Sequence, residues 1–285
     1  MRTADNPLRG EVIKDSKYPK RIAAIITHLP DITSEYHAPR FEVVKLCLTS
    51  MRAGAPDIPV MIWDNGSCKE LRDWMLNEFK PEFITLSSNV GKWSGRHAIA
   101  HMFSHHTLLG ISDDDMLFYP NWFSKSEEVL RHFPNTGIVS CYPVRTQFRW
   151  GTEYTITWGK IHGTVSAGKF IPSAWDKDFC NSIGRDRASH LDLTRNEKDI
   201  IISYQGMEAY ATAHHCQFIG YSDIIGRYTT WTDEALNDEK IFDDMIGRDH
   251  LRLTTTERLC RHIGNAMDQS IIEDAEKLGL LTRGF

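Results

Sequence analysis

The amino-acid sequence predicts an α/β fold, a Rossmann-like, mostly parallel sheet flanked by helices, with a smaller and less regular second part. Three observations predict it. Apolar runs of strand length recur at residues 21–27, 60–63, 83–86 and 107–111. Between them lie segments with apolar residues at helical spacing. Polar and glycine-bearing stretches come just after the runs, where a parallel sheet binds ligands beyond the carboxyl ends of its strands.

Residues 1–20 are polar and unpatterned and read as a loose arm. "RIAAIIT" (21–27) is a buried strand followed by His28, and Phe41, Val44, Leu48 and Met51 then mark a helix ending before Gly54. "VMIW" (60–63) is the second strand. Ser67 and Glu70 form a capping box that opens a helix to about residue 79. "FITL" (83–86) is the third strand, a helix crosses 94–106, and the fourth run ends in three aspartates. Further on, 137–141 reads as a strand, 150–170 as extended or loop, 184–199 as a polar loop, 206–214 as a helix and 217–219 as a strand. A long tail closes the chain.

The net charge of −5 argues against a sequence-independent hold on nucleic acid. Six cysteines without a C-x-x-C pair suit neither a zinc knot nor a disulfide framework, and predict reduced thiols in a cytoplasmic compartment. The start lacks an apolar h-region and no run nears the roughly 20 apolar residues of a membrane span. The expectation is no secretory leader and no transmembrane segment, with membrane-linked material reached only from the surface.

In "GISDDDMLFYP" (110–120), three adjacent carboxylates repel one another unless water or a cation compensates them. A solvated acidic loop is the simple account. Strand alternation offers another: Asp113 and Asp115 face one point, suiting a hard divalent ion that takes its other ligands from phosphate and water, while Asp114 turns elsewhere. "WDNGS" (63–67) holds a turn dipeptide, and Asp64 is open to two readings, turn or capping chemistry and acceptance of a nucleobase N–H. In "SNVGKWSGRHAI", Gly91 and Gly95 let backbone approach a ligand and Lys92 and Arg96 can neutralise phosphate, although a solvated helix start explains the same residues. Both G-x-x-x-x-G-K-[ST] and G-x-G-x-x-G are absent.

A strand ending in Thr27, "DNGS", "NVGK…GR" and "DDD" followed by "YPNW", in that order over about residues 20–145, resemble the nucleotide-sugar half of GT-A glycosyltransferases of the family-2 type. "GKFIPSAWDKDF" resembles the acceptor-side segment of that family. The resemblance implies one GT-A domain, with a nucleotide-sugar half at 21–145 and an acceptor half at 146–285. It implies a UDP- or GDP-linked sugar donor, a carbohydrate or lipid-linked acceptor, and Mn²⁺ or Mg²⁺ held by the D-x-D carboxylates. Carried over by position, Asp64 matches the base-binding aspartate, Asp113 the ribose- or sugar-facing residue, and Asp113 with Asp115 the metal site. Thr27, Asn65, Gly91, Lys92, Arg96 and Asp114 fall beside the donor, and His262 is the candidate third metal ligand. One departure stands out. Where the family carries an acidic pair before its late helix, "YQGMEAYATAHHCQFIGY" offers only Glu208, expected at a helix start as the general base of an inverting transfer. A nucleotidyltransferase, or a non-catalytic sugar-nucleotide or carbohydrate binder, are the alternatives.

Overall fold

A computed structural model describes residues 19–103, 106–230 and 238–281; nearly all of the expected amino-terminal arm lies outside them. Strand β1 (Arg21–Thr27) leads to helix α1 (Arg40–Gly54), then β2 (Val60–Asn65), and α2 (Lys69–Trp74), which runs into a π turn at Met75–Phe79. β3 (Phe83–Ser87), α3 (Lys92–Met102) and β4 (Leu108–Ser112) complete a parallel unit in which β1 pairs with both β2 and β4. β1 is buried on both faces. Ala23 and Ile25 join one apolar cluster with Val44, Leu48 and Met51 of α1, while Ile22, Ala24 and Ile26 join the opposite one with Trp93 and Ile99 of α3. That two-sided burial is why the run carries no polar alternation. Each fully buried aliphatic side chain adds roughly 1.5–3 kcal/mol.

Past the aspartates come β5 (Met116–Phe118), α4 (Trp122–His132) and β6 (Thr136–Ser140). Next are α5 (Glu153–His162), β7 (Thr164–Gly168), α6 (Ser173–Ser182), α7 (Arg187–Thr194), β8 (Asp199–Tyr204) and β9 (Met207–Tyr210). β10 (Gln217–Tyr221), α8 (Ser222–Tyr228), α9 (Asp238–Asp249), β11 (Leu251–Thr255), β12 (Cys260–His262) and α10 (Gln269–Lys277) follow. The main sheet has ten strands in the order β3-β2-β1-β4-β10-β6-β11-β9-β8-β7, and β12 pairs with β5 as a separate ribbon. It is an α/β architecture whose first half is parallel. β10 runs antiparallel between β4 and β6, and β7, β8 and β9 form an antiparallel extension. Among the described residues no helix is long and apolar enough to cross a membrane.

The second half corrects three expectations and shows further elements among the described residues of the tail. Residues 206–214 hold no helix: Gln205 and Gly206, at φ +47° and +85°, turn β8 into β9 as a tight hairpin, with Tyr204 opposite Met207. Within 150–170, α5 forms despite its threonines because Ile156 and Trp158 pack against the core, tertiary burial outweighing weak propensity. In 184–199, the Asp186 carboxylate accepts from the Ser189 N–H and caps α7. The tail is structured, and its β11 pairs parallel with β6.

Gly110 on β4 is a packing constraint. A Cβ there would lie 2.9 Å from the rings of both Phe123 and Trp122. Gly110→Ala is therefore expected to cost about 1–3 kcal/mol, read as a lower urea midpoint at unchanged m-value. An unshifted midpoint would show that these rings have room to move.

Candidate active site

The acidic triplet leaves strand geometry at Ser112. Residues 113–115 form the turn between β4 and β5. The turn is pinned at both ends, by the Asp113 N–H donating to the Cys216 carbonyl (2.8 Å) and by the Ile263 N–H donating to the Asp115 carbonyl (2.7 Å). Because it is a turn, strict alternation fails, and Asp114 does not turn away. All three aspartates line one cavity of about 480 Å³ together with Ile26, His28, Tyr36, His37, Arg40, Asn65, Asn89, Gly91 and Lys92.

Each carboxylate has its own counter-charge. Asp113 accepts from Lys92 Nζ (2.8 Å) and Arg96 Nη2 (2.7 Å). Asp114 accepts from Arg40 Nη2 (2.6 Å) and the His28 N–H (3.1 Å). Burial pushes the Asp114 carboxyl up to about 6, against the pull of Arg40 and with a further push from Asp115. Asp115 Oδ2 lies 3.2 Å from His262 Nε2, since the β5–β12 ribbon sets His262 opposite Met116. Burial opposes charge on both partners, yet the pair holds Asp115 below and His262 above their ordinary values.

Asp115 Oδ1 is buried and has no hydrogen-bond partner among the described residues. An unpartnered carboxylate oxygen beside a histidine nitrogen fits a cation. Among the described residues no cluster of three or more His, Cys, Asp or Glu side chains is arranged to hold a metal by itself. Asp115, with His262 once its ring gives up the proton that Asp115 stabilises, would suit an ion whose remaining ligands come from phosphate oxygens and water.

Lys92 also reaches Glu239, with Nζ 2.7 Å from Oε1. Glu239 Oε2 pairs with His215 Nε2 (3.0 Å), and His215 Nδ1 with Asp243 Oδ2 (3.0 Å). Asp243 in turn meets the fully buried Arg252 guanidinium. Burial works against charge on Glu239, but the His215 hydrogen bond and the Lys92 ammonium hold it well below the usual carboxylate range. Burial also opposes charge on His215, whose hydrogen bonds to Asp243 and Glu239 keep it above its ordinary value. Glu239 sits in an acidic pair, Asp238-Glu239, at the start of α9. The sequence signal was there: two acids opening a segment in which Phe242, Met245 and Ile246 repeat at helical spacing.

Other expected donor residues are placed differently. Asp64 is 0 % exposed and is not on the cavity. Its Oδ1 accepts from Thr27 Oγ1 and the Ser67 N–H, and its Oδ2 from Arg72 Nε at 2.6 Å. Thr27 is buried with it. Asn65, Gly91 and Lys92 line the cavity. Arg96 is fully buried, lies over the Trp93 and Phe218 rings, and acts through Asp113 rather than from the cavity wall. Gly95 seats α3 against Trp63 and Ile26 rather than against the cavity. Glu208 is exposed on β9 and lines a separate cavity with Lys125, Glu128 and Glu257.

No protein-family model matches the sequence, and no curated protein matches it. Among solved structures, the chain is similar to a mannosyltransferase, PcManGT from Pyrobaculum calidifontis in complex with GDP-Man and Mn²⁺, at 11 % identity and TM-score 0.48 over 86 % of this chain. It is similar to a putative glucose-1-phosphate thymidylyltransferase from Bacillus anthracis, at 11 % identity and TM-score 0.49 over 93 % of this chain and 98 % of that one. It is also similar to S. aureus TarS 1-349, at 8 % identity and TM-score 0.49 over 90 % of this chain. The chain spans 57 % of the mannosyltransferase and 63 % of TarS 1-349.

Proposed function

We propose that this protein is a divalent-metal-dependent glycosyltransferase that moves a sugar from a nucleoside-diphosphate sugar to a hydroxyl acceptor. The observation that carries the reading is the buried, unpartnered Oδ1 of Asp115, a residue that lines the cavity with Lys92 and Asp113 and whose other oxygen meets His262 behind the cavity wall. When bound, Mn²⁺ or Mg²⁺ neutralises charge on the departing diphosphate. Asp115 and His262 would hold it. Lys92, shared between Asp113 and Glu239, is placed to turn its ammonium toward phosphate. That move frees Asp113 to accept a ribose or sugar hydroxyl.

Transfer forms a bond from acceptor oxygen to the anomeric carbon as the bond from that carbon to phosphate breaks. The acceptor proton needs a base. Glu239 supplies it in this reading: its side chain is 39 % exposed, and when Lys92 turns to phosphate Oε1 is released and one of the charges that weaken it as a base is withdrawn. Glu239→Gln is expected to lower kcat by about 10²–10⁴-fold with donor affinity close to wild type. Glu208→Gln, altering a different cavity, is expected to leave kcat unchanged. The reverse pattern in steady-state kinetics would return the role to Glu208. The reading as a whole is tested by incubating the protein with Mn²⁺, a panel of sugar nucleotides and simple glycan acceptors. Nucleoside diphosphate with a glycosylated acceptor is the expected product; pyrophosphate would mark a nucleotidyltransferase instead, and no product with any donor would leave a binder.

A further inference from the structure

If the cavity holds the donor with its diphosphate at the three aspartates, no carboxylate beside β2 remains to meet the nucleobase. Asp64 is fully buried with both oxygens engaged by Thr27, Ser67 and Arg72. The polar groups that do line the cavity beside β2 and β3 are His28, Asn65 and Asn89. His28 Nδ1 lies 2.9 Å from the Asn65 backbone carbonyl. A carbonyl only accepts, so Nδ1 carries the proton and Nε2 of the neutral ring is left as a lone pair.

Backbone groups fix both amides in the same way. The Val90 N–H donates to Asn65 Oδ1 (2.8 Å) and the Gly91 N–H to Asn89 Oδ1 (3.0 Å), so each side-chain nitrogen is the remaining donor. Asn65 Nδ2 uses one hydrogen on Asn89 Oδ1 (3.0 Å), and Asn89 Nδ2 approaches His28 Nε2 only at a long 3.4 Å. The wall thus presents one ring acceptor flanked by amide donors.

We propose that this wall reads uracil, with His28 Nε2 accepting the base N3–H and the Asn65 and Asn89 amides donating to its flanking carbonyl oxygens. The proposal rests on the donor-site reading above. Cytosine sets a lone pair at N3 against the lone pair of Nε2. Guanine brings two adjacent N–H donors to a single acceptor and leaves one unpaired.

Calorimetric titration of UDP, CDP and GDP at saturating Mn²⁺ tests it. UDP is expected to bind at least about tenfold more tightly than CDP or GDP. His28→Ala is expected to erase that gap by weakening UDP while leaving the other two unchanged. Equal affinities, a preference for CDP or GDP, or a UDP preference that survives His28→Ala would each overturn the assignment and leave the donor site standing. Failure of all three to bind would overturn the donor-site reading and the assignment with it. The wild-type ranking decides the matter even where the variant does not fold.

Discussion

Asp115→Asn is expected to lower sugar transfer by about a thousandfold while the protein stays folded. The substitution keeps the shape of the side chain but removes the negative charge and exchanges one oxygen for an amide nitrogen, so His262 and a cation can no longer both meet a carboxylate oxygen. Losing one preorganised group that stabilises developing charge costs on the order of 10²–10³ in kcat. The loss here adds weaker retention of the cation. His262→Ala keeps the carboxylate and is expected to act more mildly, loosening the metal by roughly 10–100-fold. Steady-state rates across a Mn²⁺ titration separate the two: excess metal restores much of the rate for His262→Ala and little for Asp115→Asn. Near wild-type rates for Asp115→Asn would remove this residue from the chemistry.

The largest expected effect on stability lies behind the site. Arg252 and Asp243 are both fully buried; Arg252 Nη1 donates to the Trp150 carbonyl (2.7 Å) and Nη2 to that of Ala213 (2.6 Å). Burial depresses the Arg252 pKa, and the Asp243 charge opposes that shift. Arg252→Met leaves Asp243 in the interior with His215 as its one partner among the described residues, and takes a donor from two carbonyls. Breaking a buried pair in this way costs about 3–5 kcal/mol. Urea unfolding of Arg252→Met is expected to show that loss. The pair Arg252→Met with Asp243→Asn, which removes both charges, is expected to recover part of it. A loss below about 1 kcal/mol for the single variant would mean that the Arg252–Asp243 pair does not hold this part of the fold together.

How far the sequence reading reached follows from these same residues. β1, β2 and β4 were legible because each is buried along nearly its whole length and so reads as an unbroken apolar run, whereas β3 kept an apolar run although it is a partly exposed edge strand. β9 was not, because Met207 to Tyr210 carries no clear period, and its one strong signal is the Gln205-Gly206 turn before it. α9 is legible only from the spacing of Phe242, Met245 and Ile246, because its acids and lysine keep the segment from reading as an apolar run. At the site, the aspartates and Lys92 are local in sequence and were visible. Their partners are not local. Arg40 reaches Asp114 from the start of α1, His262 reaches Asp115 across the β5–β12 ribbon, and Glu239 reaches Lys92 from α9. Asp64 shows the converse: a residue at the expected strand end, but drawn inward by Arg72 one helical turn into α2. Side-chain partners of that kind depend on packing, which a single sequence does not display.

The central claim is that Asp115 and His262 form a two-residue cation site completed by the donor's diphosphate. Electron paramagnetic resonance of free Mn²⁺, titrated with protein in the presence and absence of UDP and GDP, tests it most directly. With only two protein ligands, Mn²⁺ alone is expected to bind weakly, and a nucleoside diphosphate is expected to tighten it by at least about tenfold, with Asp115→Asn abolishing the gain. Mn²⁺ affinity that does not respond to either diphosphate, or that survives Asp115→Asn, would contradict the account.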